Sequence, residues 1–281
     1  MIERKKIKNA ITLLHIAEAL AKKSNQPVEI CYSGGKDSDV ILELAKMAGI
    51  YYRAIYKNTT IDPPGTIKHC KENGVEIFNP DMRFFELLKK SGLPTRRARF
   101  CCEVMKEYKV LDVSVQGIRK AESAKREKLY EEPFICRTYG CKENHVNVFL
   151  PILEWTDQDL EDFIVERDIQ CHPLYYDENG IFHVERRLGC IGCPLPNDRG
   201  LSGFKKYPKF VKLWVNAAQK FIDTHPDSES KKKFGDGATL FYHNVFCKSY
   251  EDFLYKTSTD LWGKDIDIKK ELEKFFNIKL D

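Results

Sequence analysis

Three stretches of this chain carry side chains whose types and spacing suit chemistry. The first is Ser33-Gly34-Gly35-Lys36-Asp37-Ser38. It follows a short apolar run, Val28 to Tyr32, and precedes an amphipathic one, Val40 to Ala48. That context predicts a strand, a tight turn and a helix. Two glycines let the backbone turn sharply and come close to a ligand. N–H groups at the start of the following helix would face an anion, and the helix dipole favours negative charge there. Ser33 and Ser38 add hydroxyls, and Lys36 adds a positive charge. The expected ligand is a phosphate, a pyrophosphate or a sulfate. The Walker A pattern, G-x-x-x-x-G-K-S/T, is not the one written here.

The second stretch is Arg96-Arg97-Ala98-Arg99-Phe100-Cys101-Cys102. Its arginines read as an anion field or as a solvated basic face, whereas two adjacent cysteines are harder to explain by packing. The third is Arg186-Arg187-Leu188-Gly189-Cys190-Ile191-Gly192-Cys193-Pro194. On its own, the pair Cys190 and Cys193 reads as a redox couple, half a zinc site or half an iron–sulfur site. A further segment, Gly117-Ile118-Arg119 through Arg126, puts a glycine at the end of an expected strand. Its arginines, Arg119 and Arg126, can fork onto phosphate or sulfate in a way that lysine cannot. Cys136, Cys141 and His145 follow in C-x4-C-x3-H spacing. A structural zinc site uses four ligands and closer cysteine pairs, so these read as unpaired thiols in an excursion from Leu129 to Asn144.

The hexapeptide SGGKDS resembles the PP-loop signature of ATP pyrophosphatases and of the adenylyl-sulfate/phosphoadenylyl-sulfate (PAPS) reductase family. The run Gly117-Ile118-Arg119, Ser123, Arg126 is similar to that family's nucleotide-pocket segment. Pro151-Ile152, Trp155-Thr156, Asp159-Leu160 and His172-Pro173-Leu174-Tyr175 match further family patterns. The loop Asn58-Thr59 stands where the family has Asp-Thr, which carries over Thr59 alone. The resemblance implies that Ser33, Gly34, Gly35, Lys36, Asp37, Ser38, Thr59, Gly117, Arg119 and Arg126 bind an adenine nucleotide. It gives Lys36, Asp37 and Arg119 catalytic roles. Cluster-bearing relatives use a Cys-Cys pair and a later Cys-x-x-Cys, which implies a [4Fe-4S] cluster on Cys101, Cys102, Cys190 and Cys193, with zinc as the alternative. Lys106 matches a lysine near that cluster. The departure is equally informative. Sulfonucleotide reductases carry a late Glu-Cys-Gly-Ile/Leu-His segment with the nucleophilic cysteine, and here the only cysteine beyond Cys193 is Cys247, without those neighbours.

The elements that must position these residues follow from periodicity. Alternating strand and helix signals predict an α/β domain over residues 1–195, and the resemblance implies that it is adenine-nucleotide alpha-hydrolase-like. Its five-stranded, mainly parallel sheet would carry helices on both faces. Residues 196–281 read as a helical C-terminal extension, with a helix over about Phe204 to Asp223. The 281 residues are 42% hydrophobic and 31% charged, enough for a sizeable core. A net charge of +4 does not by itself argue for nucleic acid. Lys231-Lys232-Lys233 reads as a solvated run. Ten cysteines with no export signal or apolar membrane span favour metal or redox chemistry in the cytoplasm over a disulfide framework.

The leading functional expectation is an enzyme that binds ATP with Mg²⁺, forms an adenylate and transfers sulfur. A sulfur or electron donor protein would serve it, and the acceptor, nucleic acid or small molecule, is left open along with the oligomeric state. The second is an adenylyl-sulfate/phosphoadenylyl-sulfate reductase forming sulfite with a non-standard nucleophile, a thiol of Cys247 or of a partner protein. The third is a non-catalytic nucleotide- and redox-responsive binding module.

Overall fold

Helix α1 (Arg4–Lys23) forms because Ile7, Ala10, Leu14, Ala17 and Ala21 recur on one buried face. Lys22 and Lys23 close its last turn, where the helix dipole favours cations. It packs on α2 (Lys36–Ala48), which ends at Gly49 in the left-handed conformation, the C-cap that the sequence predicts. A computed structural model of the chain describes residues 2–138, 145–258 and 266–280.

Six strands make one sheet: β1 (Val28–Tyr32), β2 (Tyr52–Lys57), β3 (Glu76–Phe78), β4 (Val113–Val115), β5 (Phe134–Thr138) and β6 (His145–Phe149). Their order is β3-β2-β1-β4-β6-β5. All pairs are parallel except β5 with β6. Val28 lies opposite Tyr52, and Ile30 opposite Val115. The order reverses at β1, so the turn after β1 stands at the switch point where open α/β sheets bind ligands.

The strand count corrects the expected five. Phe134–Thr138 falls in the stretch read as a loop because Cys136 and Arg137 interrupt its apolar alternation. It is an edge strand that needs only β6 as a partner, and Ile135 packs on Val146 and Val148. Cys136 is exposed on it, His145 opens β6, and Cys141 lies outside the described residues.

The other helices are α3 (Thr66–Glu72), α4 (Phe84–Ser91), α5 (Phe100–Lys106), α6 (Ala124–Leu129), α7 (Asp157–Glu166), α8 (Leu201–Lys206), α9 (Lys209–Thr224), α10 (Glu229–Phe234), α11 (Gly237–Phe246), α12 (Tyr250–Thr257) and α13 (Ile268–Phe276). Helices cover both faces of the sheet. Thr156 caps α7 in a capping box with Asp159. The single helix expected from Phe204 to Asp223 is two. Pro208, which has no N–H to donate, stands between α8 and α9. Leu213 is exposed, and Val211, Trp214, Ala218 and Ile222 are among the buried positions. Among the described residues no helix is long and apolar enough to cross a membrane.

By contact the chain divides into two units. The first, Met1–Asn58, Pro63–Pro80 and Glu103–Gly189, holds the whole sheet around a core that includes Leu14, Ile30, Ile41 and Phe163. The second, Thr59–Asp62, Asp81–Cys102 and Cys190–Asp281, is helical. Its core is aromatic: the Trp214 ring lies 5.3 Å from Phe84 and 5.4 Å from Phe204, which lies 5.1 Å from Phe241. The sequence puts a boundary at 195/196, whereas the contacts group 59–62, 81–102 and 190–195 with the C-terminal helices.

A buried ion pair ties β1 to β2. Glu29 is 1% exposed, and its Oε1 lies 3.3 Å from Lys57 Nζ. Oε2 accepts from the Leu111 N–H at 2.8 Å, and Lys57 donates to the Tyr108 carbonyl at 2.6 Å. Glu29→Gln strands the lysine and should lower the unfolding free energy by about 3 kcal/mol in urea titration. The double variant Glu29→Gln/Lys57→Met should lose less than the two single changes added together.

Candidate functional site

The turn between β1 and α2 is built by its own backbone. Gly34 has φ +76°, a conformation that favours glycine, and a Cβ there would meet the Thr66 methyl at 3.0 Å. Ser38 Oγ donates to the Gly35 carbonyl at 2.7 Å and accepts from the Ser33 N–H at 3.2 Å. Gly35 is the N-cap of α2 and gives it no side-chain cap. The start of this helix is therefore left for another acceptor. Ser33 is exposed and Asp37 half-buried, while Gly34, Gly35, Lys36 and Ser38 are buried. Leu188 covers the glycines, 3.4 Å from a Cβ on Gly34. Lys36 Nζ lies 3.3 Å from Asp37 Oδ2, donates to the Arg186 carbonyl at 3.3 Å and sits 5.2 Å from the centre of the Tyr175 ring.

Arg119 is the buried counter-charge of this turn. It is 1% exposed. Nε donates to Asp37 at 2.6 Å, one terminal nitrogen to Asp157 at 2.8 Å, and the other to the Trp155 carbonyl at 3.3 Å. Burial opposes its charge, but Asp37 and Asp157 more than offset that and hold the guanidinium above its ordinary pKa. The fork expected on a phosphate thus grips the first turn of α2 through Asp37. Gly117 lets this happen, because a Cβ there would stand 2.9 Å from the Asp37 backbone. Arg126 pairs with Glu122, and Arg187 donates to the Glu122 carbonyl at 3.1 Å. Burial and then the neighbouring Arg187 lower the Arg126 pKa. Arg187, Leu188 and Tyr175 were named from sequence only within other motifs, without a role at this turn, and Asp157 was not singled out at all.

A buried polar cluster underlies the same turn and was also missed. Tyr32 donates to Asp39, and His69 Nε2 lies 2.9 Å from the same carboxylate oxygen. Next to them, His172 Nδ1 accepts from the Leu174 N–H at 3.1 Å, which leaves the proton on Nε2, 3.4 Å from Thr66 Oγ1. Thr66 donates in turn to the Pro63 carbonyl at 2.8 Å. The available signal was an aspartate, Asp39, in an otherwise apolar helix face beside Val40 and Ile41.

The helical unit holds the thiols. Cys101, Cys102, Cys190 and Cys193 all belong to it, and each is half-buried. The Cys101 thiol is pushed up by its hydrogen bond with Cys102, by burial and by the charges of Cys102, Cys190 and Cys193. Two pairs far apart in the chain therefore act on one another. The Cys190 thiol lies 3.6 Å from Thr59 Oγ1, which donates to Asp62 at 2.6 Å. Thr59 thus stands with the thiols of its unit. Lys106 is on α5, one turn after Cys102. Among the described residues no group of three His, Cys, Asp or Glu side chains has the arrangement to hold a metal ion. The donor chemistry, four thiols partly removed from water, suits iron–sulfur or zinc. The described cysteines form no disulfide.

The Cys190–Cys193 turn is shaped by Gly192, with φ +77°. A Cβ there would stand 2.3 Å from the Phe204 ring and 2.9 Å from Trp214. Gly192→Ala should therefore destabilise the protein by about 2–3 kcal/mol, from overpacking and the left-handed backbone. A thermal melt checks it, and unchanged stability would mean that the turn is not seated on the aromatic core.

Residues 27–196 match the phosphoadenosine phosphosulfate reductase domain. Two uncharacterized proteins of Methanocaldococcus jannaschii are similar, one 30% identical over 229 residues and one 26% identical over 234. Each alignment covers 76% of this chain and 53% or 46% of the relative, so the chain spans about half the length of these curated relatives. Among solved structures, a PAPS reductase from Candida auris in a phosphate complex is 14% identical with a TM-score of 0.43, over 68% of this chain and 96% of the other. The U34-tRNA thiolase NcsA from Methanococcus maripaludis, solved with its [4Fe-4S] cluster, is 12% identical with a TM-score of 0.38, over 96% and 90%. The domain match takes in the glycine turn, the Arg119 segment and both cysteine pairs, and on that match the chain belongs to the phosphoadenosine phosphosulfate reductase family.

Proposed function

We propose that this protein is an enzyme of adenine-nucleotide-dependent sulfur chemistry, with the nucleotide's phosphates at the Ser33–Ser38 turn. The leading reaction is ATP-dependent sulfur transfer with Mg²⁺. A substrate oxygen attacks the α-phosphorus of ATP, the α–β phosphoanhydride bond breaks and pyrophosphate leaves. A reduced sulfur species supplied by a donor protein then forms a bond to the activated carbon as the C–O bond breaks and AMP departs. Lys36 and the N–H groups at the start of α2 stabilise the charge that develops on the phosphates. Arg119 holds Asp37, and with it the first turn, in place. Cys101, Cys102, Cys190 and Cys193 would hold a [4Fe-4S] cluster, zinc being the alternative, and such a cluster supplies a place for sulfur to bind. Lys106 would offset part of its negative charge. The observation that carries the reading is that two cysteine pairs far apart in the chain fall in one unit, each thiol half-buried.

The second reading, reduction of an adenylyl sulfate to sulfite, is favoured by the family itself. It needs a nucleophilic thiol. Cys247 is 0% exposed, and burial pushes its thiol up to about 11, the opposite of an activated cysteine.

Anaerobically purified protein is expected to be brown, with about four irons per chain. Cys190→Ser should remove most of that iron, and stoichiometric zinc in its place would overturn the cluster. Incubation with ATP and an acceptor should release pyrophosphate; sulfite release from adenylyl sulfate instead would select the second reading. Lys36→Ala should weaken ATP binding by about 2 kcal/mol, the scale of one charge-assisted contact. Calorimetry measures it, and equal affinity would remove Lys36 from the site.

A further inference from the structure

The six residues of the turn are bracketed in sequence by two side chains that meet. Tyr32 is the last residue of β1, directly before Ser33, and Asp39 directly follows Ser38. The Tyr32 hydroxyl donates to Asp39 Oδ1, and His69 on α3 reaches the same oxygen at 2.9 Å. The Tyr32 and His69 rings stack with centroids 6.2 Å apart. All three side chains are buried, Asp39 being 3% exposed. Thr66, at the start of the same helix α3, lies under Gly34.

Burying a carboxylate is costly and stabilises little by itself. Burial accordingly raises the Asp39 pKa, against the pull of His69, Tyr32 and the neighbouring Cys171. A polar hub retained at that cost is suited to fixing geometry, because a hydrogen bond in a low-dielectric interior is directional and strong. The bond closes the turn into a ring, which limits the paths open to the backbone of Lys36 and Asp37, while the Gly35 N–H donates to Ser33 Oγ at 3.4 Å.

We propose that Tyr32, Asp39 and His69 form a clamp that sets the shape of the Ser33–Ser38 turn for phosphate binding, Asp39 being its hub. They are positioning residues, since none touches the ligand. The clamp rests on the reading of the turn as a phosphate cradle. It differs from that reading in assigning affinity to side chains outside the motif.

The test is calorimetric binding of ATP and of inorganic pyrophosphate, at a temperature where every variant is folded. Tyr32→Phe removes one oxygen and keeps the ring. Asp39→Asn keeps the shape and removes the charge. Each should weaken both ligands about tenfold, the scale of one buried hydrogen bond. The double variant should be no weaker than the weaker single, because both changes act through the one Tyr32–Asp39 contact. Leu14→Ala, a core change in α1, is the control: it should lower the melting temperature and leave affinity unchanged. If Tyr32→Phe and Asp39→Asn behave like Leu14→Ala, stability lost and affinity kept, the clamp is only structural and the proposal falls. If the double variant loses the product of the two single effects, the residues act separately and the clamp also falls. If the unaltered protein binds neither ligand, the cradle reading itself fails, and the clamp with it.

Discussion

The sheet-bearing unit depends on holding one charged turn in place from its buried side. Arg119 does this from inside. A guanidinium 1% exposed would be unstable alone, and it is stable here because Asp37, Asp157 and the Trp155 carbonyl use its donors. Asp37 belongs to α2, Asp157 begins α7, and Arg119 follows β4. One side chain thus joins three segments at the strand ends where the sheet order reverses. Gly117 lets β4's end approach α2, and Leu188 shields the glycines. The Tyr32–Asp39–His69 group braces the same turn from below, so the turn is held by polar contacts on two sides.

The helical unit solves a different problem. Its thiols need a rigid turn, and the turn is made rigid by packing. Gly192 leaves room for Phe204 and Trp214, and Gly200 for the backbone of Gly192 itself. The aromatic core under α8, α9 and α11 therefore decides the path of Cys190 to Cys193. The hydrogen bond with Cys102, burial and the neighbouring thiols raise the Cys101 thiol, and thiols held this way would gain from a cation that converts them to bound thiolates. Cys247 in the same unit shows the contrast: buried without such company, it has the character of a structural thiol.

Local features were legible wherever the deciding contacts lie within a few residues. The Gly49 C-cap and the Thr156 N-cap are of this kind. So is the strand, turn and helix around SGGKDS. Legibility failed where a partner comes from elsewhere. The strand Phe134–Thr138 looks like a loop until β6 is beside it. The helix through Pro208 looked continuous because its apolar spacing carries on past a residue that cannot donate a hydrogen bond. Asp39 drew no reading from sequence, because nothing nearby in the chain announces His69.

The sequence by itself determined the chemical inventory: a glycine turn before a helix, arginines suited to anions, two cysteine pairs and the family they belong to. Those are properties of residue type and short spacing, and they survive in any surrounding. Only the tertiary structure decided that Arg119 faces carboxylates, that Thr59 stands by Cys190, that the two cysteine pairs share a unit, and that Tyr32 and Asp39 meet. Each of these is a choice of partner for a buried polar group. Such a group must be satisfied by whatever the fold brings to it, and what the fold brings comes from distant parts of the chain.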